Sequence, residues 1–238
     1  MTVATSKPLA GRRVRSPRGG GEQLRAEIVA AAKELLAAAN SVDDVSIRAV
    51  ADAVGVTPPS IYLHFADKNE LVAAVVADVF TELDAAMLEA GAAAALPLER
   101  LRAYGLAYVR FAVSHPEHYR LATMDPCSRP DVDEVLASSA FVHFNAVVVE
   151  CMEDGIFAVG DPLPITLDLW AAAHGIASLM IAKPFLPWGD LEATAERALC
   201  AAALGQASAV LVGEPLTSER ITGWLKRRRG RRSPGGGR

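Results

Sequence analysis

Apolar residues recur in this chain at three- and four-residue intervals, and no segment alternates with a period of two. That regularity points to helices throughout and leaves no half-buried strand from which to build a sheet. Leu24, Ile28, Ala31, Ala32, Leu35 and Leu36 stripe a first segment that stops near Asn40-Ser41. Ile47, Val50, Ala51 and Val54 make a short second helix. Ser46 is its N-cap and Gly55 its terminator, because glycine takes the left-handed conformation at little cost. Thr57 caps a third helix with Pro58 at the first position, where a missing N–H does no harm. Asp67 and Glu70, three apart, predict a capping box for a fourth helix. Leu71, Val75, Val79, Leu83 and Met87 carry that helix to about Ala90.

The helices that follow are longer. Leu98, Leu101, Tyr104, Tyr108, Phe111 and Ala112 stripe one, and Pro116 opens a short one. Val132, Val135, Leu136, Phe141, Phe144, Val148 and Met152 stripe another, ended by Gly155. Pro164 to Ala182 is almost wholly apolar and is stopped by Pro184. Asp190 to about Val212 is predicted to be the last helix. The composition agrees, since alanine is abundant, aromatics are only 6%, and Ala, Leu and Glu are strong helix formers. The fold class is all-α: an N-terminal three-helix helix-turn-helix domain followed by an antiparallel helical bundle.

The net charge of −4 conceals an uneven distribution. Residues 1–21 carry Lys7, Arg12, Arg13, Arg15 and Arg18 and no acid, hence +5. Residues 220–238 carry Arg220, Lys226, Arg227, Arg228, Arg229, Arg231, Arg232 and Arg238 and no acid, hence +8, which leaves −17 for residues 22–219. Basic, glycine-bearing tails on an acidic body attract polyanions through counterion release, or else act as solubilising tails. No run of about 18 uninterrupted apolar residues predicts a membrane span. No apolar segment follows the basic N-terminus, so a signal peptide is not expected. Cys127, Cys151 and Cys200 are odd in number and widely spaced, which fits a reducing cytoplasm better than a disulfide framework.

The stretch GVTPPSIYLHFADKNEL, Gly55 to Leu71, carries the strongest functional signal. Ala51 and Val54 on the second helix would share an apolar seam with Ile61 and Phe65 on the third. The opposite face then presents Thr57, Pro58, Pro59, Ser60, Tyr62 and His64. The N-terminal end of such a helix meets base edges in the major groove. Its prolines offer flat apolar surface to thymine methyl groups. Tyr62, His64 and Lys68 are placed to donate to phosphate oxygens, and Arg48 stands near the start of the second helix. Ala51, Gly55-Val56, Tyr62 to Phe65, Lys68 and Leu71, in this order and register, resemble the N-terminal signature of the TetR family of transcriptional repressors. The resemblance covers about residues 22–72. It departs from the family at Pro58 and Leu63, where polar or basic residues are common, so fewer groups remain for direct hydrogen bonds to bases.

That resemblance implies a second domain that binds a small molecule and dimerises through its last two long helices. Leu169 to Gly175 resembles a Trp-x-x-x-His-Gly element of one C-terminal subfamily. Trp170 and His174, four apart, share a helix face. With Tyr104, Tyr108, Phe111, Phe141 and Phe144 they make a candidate ligand site, although an aromatic stripe at helical spacing is also the pattern of ordinary core. Small residues in the final helix permit close helix approach, and Leu199, Ala203, Leu204, Val210 and Leu211 are the candidate dimer contacts.

The expected domains are a basic arm over 1–21, the helix-turn-helix over 22–68, the ligand and dimerisation domain over 69–215 and a disordered basic tail over 216–238. The expected partners are a palindromic double-stranded operator, a partly apolar small-molecule effector and a second copy of the chain, with no membrane and no cofactor. An enzyme is not expected: the sequence has no Gly-rich phosphate loop and no G-x-S-x-G or H-E-x-x-H motif. His115, Glu117 and His118 lie close together but lack a further ligand at suitable spacing, so no metal site is assigned. The competing reading is an architectural nucleic-acid binder driven by its tails.

Overall fold

The computed structural model describes residues 20–39, 41–123, 140–213 and 216–230, and these are helical with no strand among them. In chain order the helices are α1 (Gly20–Ala38), α2 (Ile47–Val54), α3 (Pro58–Ile61), α4 (Lys68–Gly91) and α5 (Pro97–Ser114). They continue as α6 (Pro116–Thr123), α7 (Ala140–Glu153), α8 (Pro162–Ala182), α9 (Leu191–Val212) and α10 (Ser218–Gly230). The predicted stripe from Val132 to Leu136 lies outside the described residues, as do Cys127 and the arginines of the N-terminal arm.

Most helix ends follow from the residues placed there. The Ser46 side chain accepts from the Ala49 N–H, and Gly55 closes α2 at φ 77°. Asp161 and Asp190 cap α8 and α9 by accepting from Leu163 and Ala193. Two details differ from expectation. Thr57 occupies the N-cap of α3, but its hydroxyl pairs with that of Ser60 at 3.0 Å instead of capping the backbone. Asp67 accepts from the Glu70 N–H, while Glu70 reaches back to the N–H of Ala66, one residue earlier than a standard capping box.

The described residues fall into two compact units, divided within α4 and not at 68/69. The first takes the chain to Glu82 together with Glu117–Thr123 of α6. Its core holds Ile28, Ala32, Val50, Ala51, Ile61, Phe65, Leu71, Val75, Val76, Val79 and Tyr119, all nearly inaccessible. Lys33 on α1 is buried, and its ammonium lies 2.6 Å from both Asp78 and Glu82 on α4. Burial alone would lower this pKa; the hydrogen bonds that the ammonium donates to the two carboxylates, with their negative charge, outweigh it and hold the amine above its usual range.

The second unit is a bundle in which α5 packs against α7, α8 and α9, and α8 against α9. Gly91 ends α4 where a Cβ would sit 2.3 Å from the Tyr104 ring, so only glycine fits without a shift. By length and composition α8 and α9 could each cross a membrane, yet α8 turns Ile165, Leu169, Ala173, Ala177 and Met180 into the bundle.

The C-terminal segment corrects the sequence reading. Residues 218–230 form a helix, so α9 is not the last helix and the tail is not irregular throughout. Thr217 provides the start: its hydroxyl accepts from the Arg220 N–H at 3.3 Å and its carbonyl from the Ile221 N–H at 3.0 Å. The Arg228 guanidinium then stacks 4.8 Å above the Trp224 ring, a contact between side chains one turn apart.

Candidate nucleic-acid interface and body cavity

The predicted seam forms. Ala51 and Ile61 are inaccessible and Phe65 nearly so, with the Arg25 guanidinium 4.9 Å above the Phe65 ring; Val54 is half-buried. The helix proper ends at Ile61, shorter than the sequence implies. Its last turn continues through the N–H groups of Tyr62, His64 and Phe65, which donate to the carbonyls of Pro58, Ile61 and Ile61.

This geometry sorts the candidate residues. Arg48, Thr57, Pro59 and Tyr62 are exposed, while Pro58, Ser60, His64 and Lys68 are half-buried. Tyr62 is 53% exposed and Leu63 84% exposed, a large apolar side chain standing in solvent beside the recognition element. The His64 ring lies close to Gly21 at the start of α1, so it is partly enclosed by its own unit. Lys68 lies 3.9 Å from Asp43, a loose pair in which Asp43 is almost fully exposed. The lysine is therefore readily available to a phosphate. The hydroxyls of Thr57 and Ser60 engage each other and the prolines have no N–H. What this surface exposes beside those hydroxyls is largely apolar: Pro59, Leu63 and the Tyr62 ring.

In the second unit the aromatic residues separate into two groups. Trp170 donates its indole N–H to the Tyr108 hydroxyl at 3.2 Å. That hydroxyl lies 3.3 Å from His174 Nδ1, and Ser178 lies 3.3 Å from Nε2. Phe141 meets Trp170 edge-on at 6.1 Å. Burial holds the His174 pKa below its ordinary value, which keeps the ring neutral near pH 7. Tyr104 and Phe111 are buried, and burial raises the Tyr104 phenol. The polar groups of Tyr108, Trp170 and His174 thus bond with one another.

A cavity of about 330 Å³ lies elsewhere in the same unit, among α5, α7, α8 and α9. Leu101, Gly105, Leu169, Ala173 and Leu199 form much of its wall, with Glu99, Arg102 and Cys200 as its polar groups. Of the seven predicted ligand residues only Phe144 reaches it. Leu199, Ala203 and Leu204, predicted as dimer contacts, also line it, and Leu204, Val210 and Leu211 are more than half exposed. Arg102 is tied to Glu196, and that hydrogen bond holds the guanidinium pKa up and the carboxyl pKa down.

Sequence reasoning missed the cavity wall and the Lys33 clamp. The acids at 78 and 82 stand four apart on one helix face, but nothing local names a lysine 45 residues away as their partner. His115 and His118, read as a poor metal site, contact the Phe111 carbonyl and Glu34.

The chain matches two protein families. Residues 28–75 match bacterial regulatory proteins of the tetR family, and residues 101–202 match the tetracyclin repressor-like C-terminal domain. No curated protein matches it. Among solved structures, a protein of unknown function from Rhodococcus sp. RHA1 is 28% identical, with TM-score 0.65 over 77% of this chain and 95% of that one. A TetR family transcription regulator from Marinobacter aquaeolei VT8 is 18% identical, with TM-score 0.61 over 78% and 98%. RolR in complex with the ligand resorcinol is also 18% identical, with TM-score 0.59 over 83% and 97%.

Proposed function

The chain belongs to the TetR family of transcription regulators, and on that premise we propose that it is a cytoplasmic repressor. As a homodimer it binds a palindromic operator and leaves it when a small, partly apolar molecule occupies the body. The observation that carries the DNA-binding part is the exposed Pro59-Tyr62-Leu63 surface, set on a buried Ile61-Phe65 seam, with Arg48 exposed on the preceding helix and Lys68 opening the next. Tyr62 and Lys68 hold phosphates; Ser60, Pro59 and Leu63 meet bases. Tyr62→Ala is expected to weaken binding to all sequences about equally, whereas Ser60→Ala changes preference at particular positions. Binding of Tyr62→Ala at wild-type affinity, with the fold intact, contradicts the phosphate role.

We place the effector in the 330 Å³ cavity, not among Tyr108, Trp170 and His174, whose polar groups already engage one another. The volume suits a small organic molecule, and resorcinol, bound by the similar RolR, is a probe of that size. An effector releases DNA only if it binds the non-DNA-binding arrangement more tightly. The lever in this reading is α4, whose tilt changes the spacing of the two recognition helices. In a thermal melt, resorcinol and related phenols are expected to raise the Tm of the wild type and not of Ala203→Phe, which fills the cavity. A shift that persists in Ala203→Phe and disappears in Trp170→Ala returns the site to the aromatic group.

A further inference from the structure

The helix α10 concentrates cations that no carboxylate among the described residues pairs with. Arg220, Lys226, Arg227 and Arg228 form no ion pair with any carboxylate among the described residues, although residues 22–219 carry −17. Within its own unit α10 packs mainly against the end of α9. Its first two turns hold Ile221, Trp224 and Leu225 at helical spacing, with Ile221 38% and Leu225 45% exposed. Its last turn, from Lys226, contains no apolar residue.

That arrangement discriminates between polyanions. A helix lying on a lipid surface needs an apolar face along its length. Here the apolar face stops at Leu225, and Lys226, Arg227 and Arg228 step by about 100° around the axis, so cations cover more than half of its circumference. A helix end charged over more than half of its circumference fits between phosphates that flank it, as in a groove of a duplex. An acidic body is also repelled by DNA, and a cationic segment offsets that repulsion on approach.

We infer that α10 is a second nucleic-acid contact, in which Lys226, Arg227 and Arg228 bind the phosphate backbone of double-stranded DNA without reading sequence. The inference rests on the regulator reading only in choosing duplex DNA over other polyanions. It is tested with the full chain, on a random-sequence duplex and on a selected operator, by measuring affinity across a salt series. Lys226→Gln/Arg227→Gln/Arg228→Gln is expected to reduce the slope of log affinity against log salt by up to about 3 per chain, since each phosphate neutralised contributes about 0.9. Arg227→Lys/Arg228→Lys keeps the slope, because the contact is one of charge. An unchanged Tm in both variants excludes loss of fold as the cause. An unchanged slope in the Gln variant on both duplexes overturns the inference and leaves specific operator binding standing. Binding to phosphatidylglycerol vesicles that only the Gln variant loses, with no change on DNA, assigns the helix to lipid and overturns it as well. A wild-type chain that binds no duplex overturns both this inference and the regulator reading.

Discussion

Phe65→Ala is expected to lower the stability of the helix-turn-helix unit by about 3–5 kcal/mol and to abolish operator binding. Phe65 is 1% exposed and lies beside Ile61 and Ala51, which are inaccessible. Its N–H donates to the Ile61 carbonyl, so the same residue closes the last turn of the recognition element and fills the space beneath it. With α3 only four residues long, that element has little stability of its own and keeps its orientation through this seam. A loss of this size is a large part of the roughly 5–15 kcal/mol that holds a domain together. Tyr62→Ala is the control: its ring is 53% exposed, so it should lose DNA affinity with little change in Tm. Urea denaturation followed by anisotropy on a labelled duplex separates the two. Wild-type stability and binding in Phe65→Ala would mean that the seam does not position the helix.

Deleting residues 1–18 is expected to lower affinity and flatten its salt dependence. Arg12, Arg13, Arg15 and Arg18 are removed, and four lost phosphate contacts at about 0.9 each shrink the slope by up to about 3.6 per chain. Arginines in such an arm are suited to the minor groove beside the helix site. The measurement is affinity for one operator duplex from about 50 to 200 mM salt, a range over which contacts of this number change binding by orders of magnitude. An unchanged slope would mean that the arm makes no phosphate contact.

The parts of this molecule legible in its sequence are those set by neighbours along the chain. Ser46, Gly55 and Asp190 mark helix ends because their caps are closed within a few residues, and Pro58 marks one because its fixed φ suits a first helical position. The seam was legible because Ala51, Ile61 and Phe65 keep helical spacing across one tight turn. The Lys33 clamp and the cavity were not, since both depend on which helices meet, and periodicity is silent on that. The arrangement of the aromatic stripe was hidden for the same reason. Trp170 and His174 do share a face, but Tyr108 from another helix satisfies them, while Gly105, Ala173 and Ala203 are small enough to leave space elsewhere. The tail misled because composition alone reads a run of arginines as irregular, whereas Thr217 and the Arg228–Trp224 stack support a helix.

The central claim, a dimer reading DNA through two copies of the Thr57–His64 surface, is tested most directly by selecting bound duplexes from a random pool with the purified chain. The account predicts enrichment of a palindrome whose half-sites lie about one helical turn, or a multiple of it, apart. The half-sites should be rich in thymine where Pro59 and Leu63 meet methyl groups. Recovery of sequences no different from the starting pool, or of asymmetric sites only, would contradict it.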